Sequence, residues 1–225
     1  MEARIIKGFS VKLRTENILK HAGFSLWVQE HKPQRVKRQR KIIKEVKKGI
    51  KRLIYPRAIY QAFDYDILSR KRVLLFEPET GRQGVLTSSY LVKRNILKFK
   101  PEKLVLFVAT FGDEIMEGEE KGYSAFHLDV IGSEGAEAVA RYICKFMARE
   151  CGFKKSFRRL SPGYGEATGF DWKIPQQKVI FDLLGREKIK EELGVELLNS
   201  SEHPSCLMVP QKTVSGIAFP TEPRF

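Results

Sequence analysis

The chain has 225 residues, of which 42% are hydrophobic, 11% aromatic and 30% charged; this is enough apolar material to order a core and too much for a disordered or low-complexity protein. No apolar run approaches the roughly 20 residues that span a bilayer, and the beginning lacks a secretory apolar region, so a cytoplasmic protein with no membrane partner is expected. The net charge of +14 is unevenly placed: residues 1–60 hold 17 Lys and Arg against 4 acids, so the excess that invites a nucleic-acid reading is N-terminal.

Thr15 to Gly23 is predicted to be a short helix closed by its glycine, with Ile18 and Leu19 buried. After Pro33, Val36, Ile42, Ile43, Val46, Ile50, Leu53 and Ile54 recur at helical steps while lysines and arginines fill the other face. That pattern predicts a basic amphipathic helix over 34–54, stopped by Pro56. From Arg57 to Phe111 the texture is strand-like, with strands expected at Val73–Phe76, Val85–Val92 and Leu104–Phe111 and turns at Pro78, Gly81–Gly84 and Pro101. Ala125–Ile131 reads as another strand, running through Gly132 and Ser133 into a helix with Ala136, Val139, Ala140, Ile143 and Met147 inward and Gly152 at its end. A loop over Arg159–Gly165 leads to a helix opened by Pro175, with Val179, Ile180, Leu183 and Leu184 inward. The end reads as a hairpin: Cys206–Val209, a turn at Pro210–Thr213, then Val214–Phe219. The class is α+β, a twisted and mostly antiparallel sheet flanked by helices. One domain over 1–225 is expected, with a basic helical region at 1–55 and a core at 56–220.

Searches for chemical motifs narrow the field. There is no G-x-x-x-x-G-K-[ST], no G-x-G-x-x-G after a strand, no G-x-S-x-G and no H-E-x-x-H, so common nucleotide and hydrolase chemistries lose support. Cys144, Cys151 and Cys206 are odd in number and without C-x-x-C spacing, which predicts reduced thiols. His21, His31, His127 and His203 are scattered and read as structural or surface residues. The most unusual stretch is Arg159-Leu160-Ser161-Pro162-Gly163-Tyr164-Gly165. Its glycines let backbone approach a ligand, Arg159 can pair with a carboxylate, and Tyr164 offers a flat face with a hydroxyl. Pro-Gly is also ordinary turn punctuation, and composition leaves both readings open. Glu137 falls in the first turn and a half of its expected helix, where a carboxylate meets the helix dipole or simply faces solvent.

Arg159-x-x-Pro162-Gly163-Tyr164, then Leu193-Gly194-Val195-Glu196-Leu197, then Leu207-Met208-x-Pro210-x-x-x-Val214-Ser215-Gly216 resemble the activation domain of cobalamin-dependent methionine synthase. Asp129-x-x-Gly132-Ser133-x-x-x-Glu137-Ala138-Val139-Ala140 is similar to the helix that supplies an acidic ligand-binding residue in that family, and Lys51–Tyr60 with Pro56-Arg57 to the early segment of its stand-alone members. The resemblance runs over roughly 50–220. It implies S-adenosylmethionine contacts from Glu137, Arg159 and Tyr164, with backbone around Leu160 assisting, and no catalytic acid or base. The family's acidic residue near the domain start, in a tryptophan-containing stretch, has no match in the basic beginning here. Homocysteine, folate and cobalamin modules are absent, as is a corrinoid-ligating D-x-H-x-x-G.

The resemblance therefore implies a free-standing reactivation subunit for reductive methylation of a cobalamin methyltransferase. Cobalamin would come with the partner, a corrinoid protein or methionine synthase modules, and electrons from a donor such as flavodoxin or ferredoxin. A different client, the corrinoid protein of an anaerobic methyl-transfer pathway, fits the same residues. A nucleic-acid-binding module using the basic helix is the weaker reading, because that helix has a regular apolar face for its own core and no aromatic-rich RNA motif accompanies it.

Overall fold

The structure, a computed structural model, describes residues 2–163, 172–198 and 206–222. Strand β1 (Arg4–Lys7) is followed by helices α1 (Thr15–His21), α2 (Leu26–His31) and α3 (Pro33–Gly49), and a 3-10 turn at Lys51–Leu53. Next come β2 (Arg57–Ile67), β3 (Arg72–Phe76), β4 (Gln83–Thr87), then α4 (Ser89–Leu91) and α5 (Leu97–Phe99) around a π-helical turn at Val92–Ile96. Strand β5 (Leu104–Thr110) leads through a 3-10 turn at Glu114–Gly118 to α6 (Ala125–Glu150) and β6 (Arg158–Leu160). The chain continues with α7 (Gln177–Leu184), α8 (Arg186–Leu193), β7 (Glu196–Leu198), β8 (Leu207–Val209) and β9 (Thr213–Phe219).

The main sheet has the order β4-β3-β2-β5-β9-β6, with β1 also on β2, and β7 and β8 form a separate pair. Every described pairing is antiparallel, as the α+β reading requires. Central β5, LVLFVAT, is buried at every position, which explains a run with no polar alternation. Its period of two divides the core. Val105, Phe107 and Ala109 join α1, α3 and α6 on one face, while Leu104, Leu106 and Val108 join α7 and α8 on the other.

Four sequence expectations are corrected. Ala125–Ile131 is the start of α6: its branched residues suggested a strand, yet buried Leu128 and Ile131 continue the helical stripe of Gly135, Val139 and Ile143. Gly132, expected at the passage from that strand into the helix, is a helical position over which the Lys212 side chain passes, and a Cβ there would fall 3.0 Å from Lys212 Cγ and Cδ. The basic helix stops at Gly49 before its 3-10 turn. The expected strand Val85–Val92 ends at Thr87, because the Ser88 hydroxyl accepts the Leu91 N–H at 3.1 Å and starts a helical segment. The C-terminal hairpin does not form: β8 pairs with β7, and β9 enters the sheet between β5 and β6. The Lys212 carbonyl accepts from Phe111 N–H at 2.9 Å and Thr110 Oγ1 at 3.3 Å, drawing the chain onto β5. Strand β2, the longest in the sheet, was not singled out in the sequence, because its polar residues break the apolar run.

Candidate functional site

Strand β6 is an edge strand of three residues in register with the end of β9, Arg158 opposite Phe219 and Arg159 opposite Ala218. Alternation sends the two arginines to opposite faces. Arg158 lies over the Phe99 ring, 5.7 Å from its centroid. Arg159 turns to the face covered by α6 and makes a short charged hydrogen bond with Glu137. Their side chains are 23% and 16% exposed, so this pair has more weight than a solvent-washed one. Glu137, named with Arg159 as a ligand contact by the resemblance, thus meets Arg159 directly, and it lies in the middle of α6 and not in its first turns, so the helix dipole plays no part in its role.

Beside the pair sits Cys144, whose thiol burial pushes up to about 12. The Arg159 cation opposes that shift and the Glu137 carboxylate adds to it. Such a thiol stays protonated and is no nucleophile near neutral pH. Leu160 is half-buried and faces the opposite core, with its backbone paired to Ile217. Gly216 makes that approach possible, since a Cβ on it would lie 2.2 Å from the Leu160 carbonyl oxygen. The loop continues through buried Ser161 and Pro162 to Gly163, whose N–H donates to the Trp172 carbonyl at 2.7 Å. Tyr164, the aromatic contact suggested by the sequence, lies outside the described residues.

One further charged residue belongs to this neighbourhood and was not singled out in the sequence. Lys212, at the turn before β9, bonds Asp129 Oδ1 at 2.5 Å and Ser133 Oγ at 3.3 Å. Asp129, Ser133 and Glu137 follow one another at steps of four along α6, which places them on one stripe of the helix. The nearby Glu134 is differently employed: fully buried, it accepts the Arg14 N–H at the start of α1 at 3.1 Å and an Arg141 N–H at 2.5 Å. It fastens α1 to α6.

A cavity of about 720 Å³ opens elsewhere, lined among others by Tyr60, Val105, Met147, Phe153 and Phe157, and none of Glu137, Arg159, Leu160 or Lys212 lines it. Among the described residues no group of three or more His, Cys, Asp or Glu is placed to hold a metal ion, and no helix is long and apolar enough to cross a membrane. Cys144, Cys151 and Cys206 are free thiols, as expected. His127 meets Gln39 Oε1 at 3.1 Å, and burial lowers its pKa.

The chemistry offered is thus a guanidinium and a carboxylate held together at a sheet edge, where the chain leads on through buried Ser161 and Pro162. No protein-family model matches the sequence, and no curated protein matches it. Among solved structures, the chain is similar to the crystal structure of the MetH reactivation domain bound to AdoHcy, with a TM-score of 0.64 and 16% sequence identity. The match covers 100% of this chain and 80% of that one. At that identity the likeness is one of fold, and the chain shares its α+β fold with that reactivation domain over its whole length.

Proposed function

We propose that this chain binds S-adenosylmethionine and presents its methyl group to the corrinoid of a separate client protein, as a reactivation subunit. The carrying observation is the Arg159–Glu137 pair, set at a sheet edge in a fold shared with a domain bound to AdoHcy. A zwitterionic amino-acid group matches that pair. Its carboxylate takes Arg159 and its ammonium takes Glu137, so the pair opens without leaving either charge uncompensated. A ligand with only one of the two charges would strand a partly buried side chain.

In the reaction, one electron from a donor such as flavodoxin or ferredoxin converts the client's Co(II) to Co(I). The cobalt electron pair then takes the sulfonium methyl, giving methyl-Co(III) and releasing S-adenosylhomocysteine. The corrinoid supplies the nucleophile, and this chain's residues hold and orient the methyl donor. No side-chain acid or base is needed. The resemblance of the Arg159 loop and the C-terminal strands favours methionine synthase as client, and other corrinoid methyltransferases would be served by the same chemistry. The basic face of α3 would steer an acidic client or electron donor in the cytoplasm, because its apolar stripe of Val36, Ile43 and Val46 is buried in its own core and its charges remain outside.

Calorimetric titration tests the reading. The isolated chain should bind S-adenosylmethionine without added metal, with a Kd between about 1 μM and 1 mM. Absence of both heat and thermal stabilisation at millimolar ligand would overturn it.

A further inference from the structure

We infer that Asp129, held by Lys212, is the carboxylate that receives the ribose hydroxyls of the adenosyl ligand, with Lys212 as its positioning residue. This rests on the adenosylmethionine reading and adds the nucleoside end of the site to the amino-acid end at Arg159 and Glu137.

The geometry begins with α6. Asp129 and Glu137 are eight residues apart on one stripe, which on a helix is a rise of about 12 Å. That separation suits one extended adenosyl amino acid whose zwitterionic end lies at Glu137. Between them stands Ser133, whose hydroxyl donates to the Asp129 carbonyl at 3.0 Å and so turns a lone pair to Lys212.

Lys212 is fixed at both ends. Its carbonyl is tied to Phe111 and Thr110 at the end of β5, its stem crosses Gly132 in close contact, and its ammonium reaches Asp129 Oδ1. The lysine side chain is only 12% exposed, whereas Asp129 is 59% exposed. An exposed aspartate on a helix would ordinarily choose freely among rotamers. Here one oxygen is committed to a largely enclosed cation, and among the described residues Oδ2 accepts nothing.

The chemistry of the pair selects the ligand group. Lys212 offsets the aspartate charge, so the site offers hydrogen-bond acceptance in a fixed direction and little net attraction for a sulfonium. Neighbouring hydroxyls on a ribose are the donors in an adenosyl ligand that suit such an oxygen, and bonds to an ionised acceptor are the strong kind.

Titration calorimetry with S-adenosylhomocysteine and with S-(2′-deoxyadenosyl)homocysteine separates the possibilities, since both carry the same zwitterion. The native chain should prefer the ribose ligand by about tenfold or more, and Asp129→Asn should erase that preference by weakening the ribose ligand alone. Lys212→Met should reduce the preference in the same direction, and Lys212→Arg should restore it, with thermal melting of Asp129→Asn unchanged. Equal weakening of both ligands by Asp129→Asn, or native binding that does not distinguish them, overturns the assignment. Native binding of neither ligand at millimolar concentration would instead overturn the adenosyl reading itself.

Discussion

Arg158 and Arg159 are neighbours in sequence, yet among the described residues only Arg159 meets a carboxylate, because strand alternation gives one arginine to each face of the sheet. Replacing Arg159 by Ala should weaken S-adenosylmethionine binding by about 1.5 to 3 kcal/mol, the scale of a hydrogen bond to a charged group, and leave the fold intact. Arg159→Lys should restore binding only in part, since an ammonium cannot reproduce the planar fork that faces a carboxylate. Titration of both variants beside the native chain checks this, and unchanged affinity in both would make Arg159 a purely structural residue. Arg159 and Glu137 were singled out in the sequence through the family resemblance of their segments, since Pro-Gly punctuation and an acid beside an apolar stripe each left an ordinary structural reading open. Lys212 was not. It is one lysine beside a turn, and only the passage of the chain over Gly132 gives its ammonium Asp129 as a partner.

Most elements whose apolar period matched their structure were readable, the branched start of α6 being an exception, and β4, ended by a local hydrogen bond, was read too long. The helix over 177–184 keeps Ile180, Leu183 and Leu184 inward as its spacing demanded. Strand β4, in contrast, stops where Ser88 caps the next turn, a competition between side chain and ladder that hydrophobicity does not record. The β3–β4 connection depends on another such network. Glu77, 4% exposed, accepts from Gln61 at 2.6 Å through Oε1, and from Thr80 at 2.6 Å and Arg82 at 2.6 Å through Oε2. Led by the Thr80 hydroxyl and supported by Arg82 against the cost of burial, these bonds hold its carboxyl at about 2, below the ordinary 4.5. The folded state therefore gains from this ionisation above the unfolded value, and loses that gain as pH falls from about 4.5 through about 2. Glu77→Gln points an amide at the Thr80 and Arg82 donors, and should lower the melting temperature by several degrees at neutral pH. The gap between variant and native chain should narrow toward pH 2; thermal denaturation across that range checks it, and a gap independent of pH would assign the loss to packing.

At the scale of the molecule, α6 joins the parts that the proposed reaction requires. It buries one face of the sheet, carries Glu137 and Asp129, and packs against basic α3. The charge imbalance was plain in the sequence, but its consequence depends on burial: with Val36, Ile43 and Val46 turned inward, Lys37, Arg38, Lys41, Lys44 and Lys48 stay exposed. Partner association steered by those residues should weaken as salt rises, because exposed charges are screened over roughly 8 Å at physiological ionic strength. The reaction itself gives the wider test. Mixed with a Co(II) corrinoid protein, S-adenosylmethionine and a strong one-electron donor, the chain should accelerate formation of methyl-cobalt, followed by absorbance. Reduction of Co(II) is uphill and methylation removes its product, so the chain need only capture a small reduced population, and omitting S-adenosylmethionine should abolish product even with reductant present. Arg159→Ala should slow this capture at subsaturating ligand, and Glu137→Ala should slow it too, by letting the methyl drift from its line of transfer, where a displacement of about 1 Å can cost on the order of a hundredfold. Equal rates with and without the chain, against each corrinoid protein of the source cell, would reduce the role to ligand binding, because the proposed contribution of Arg159 and Glu137 is to position the methyl donor.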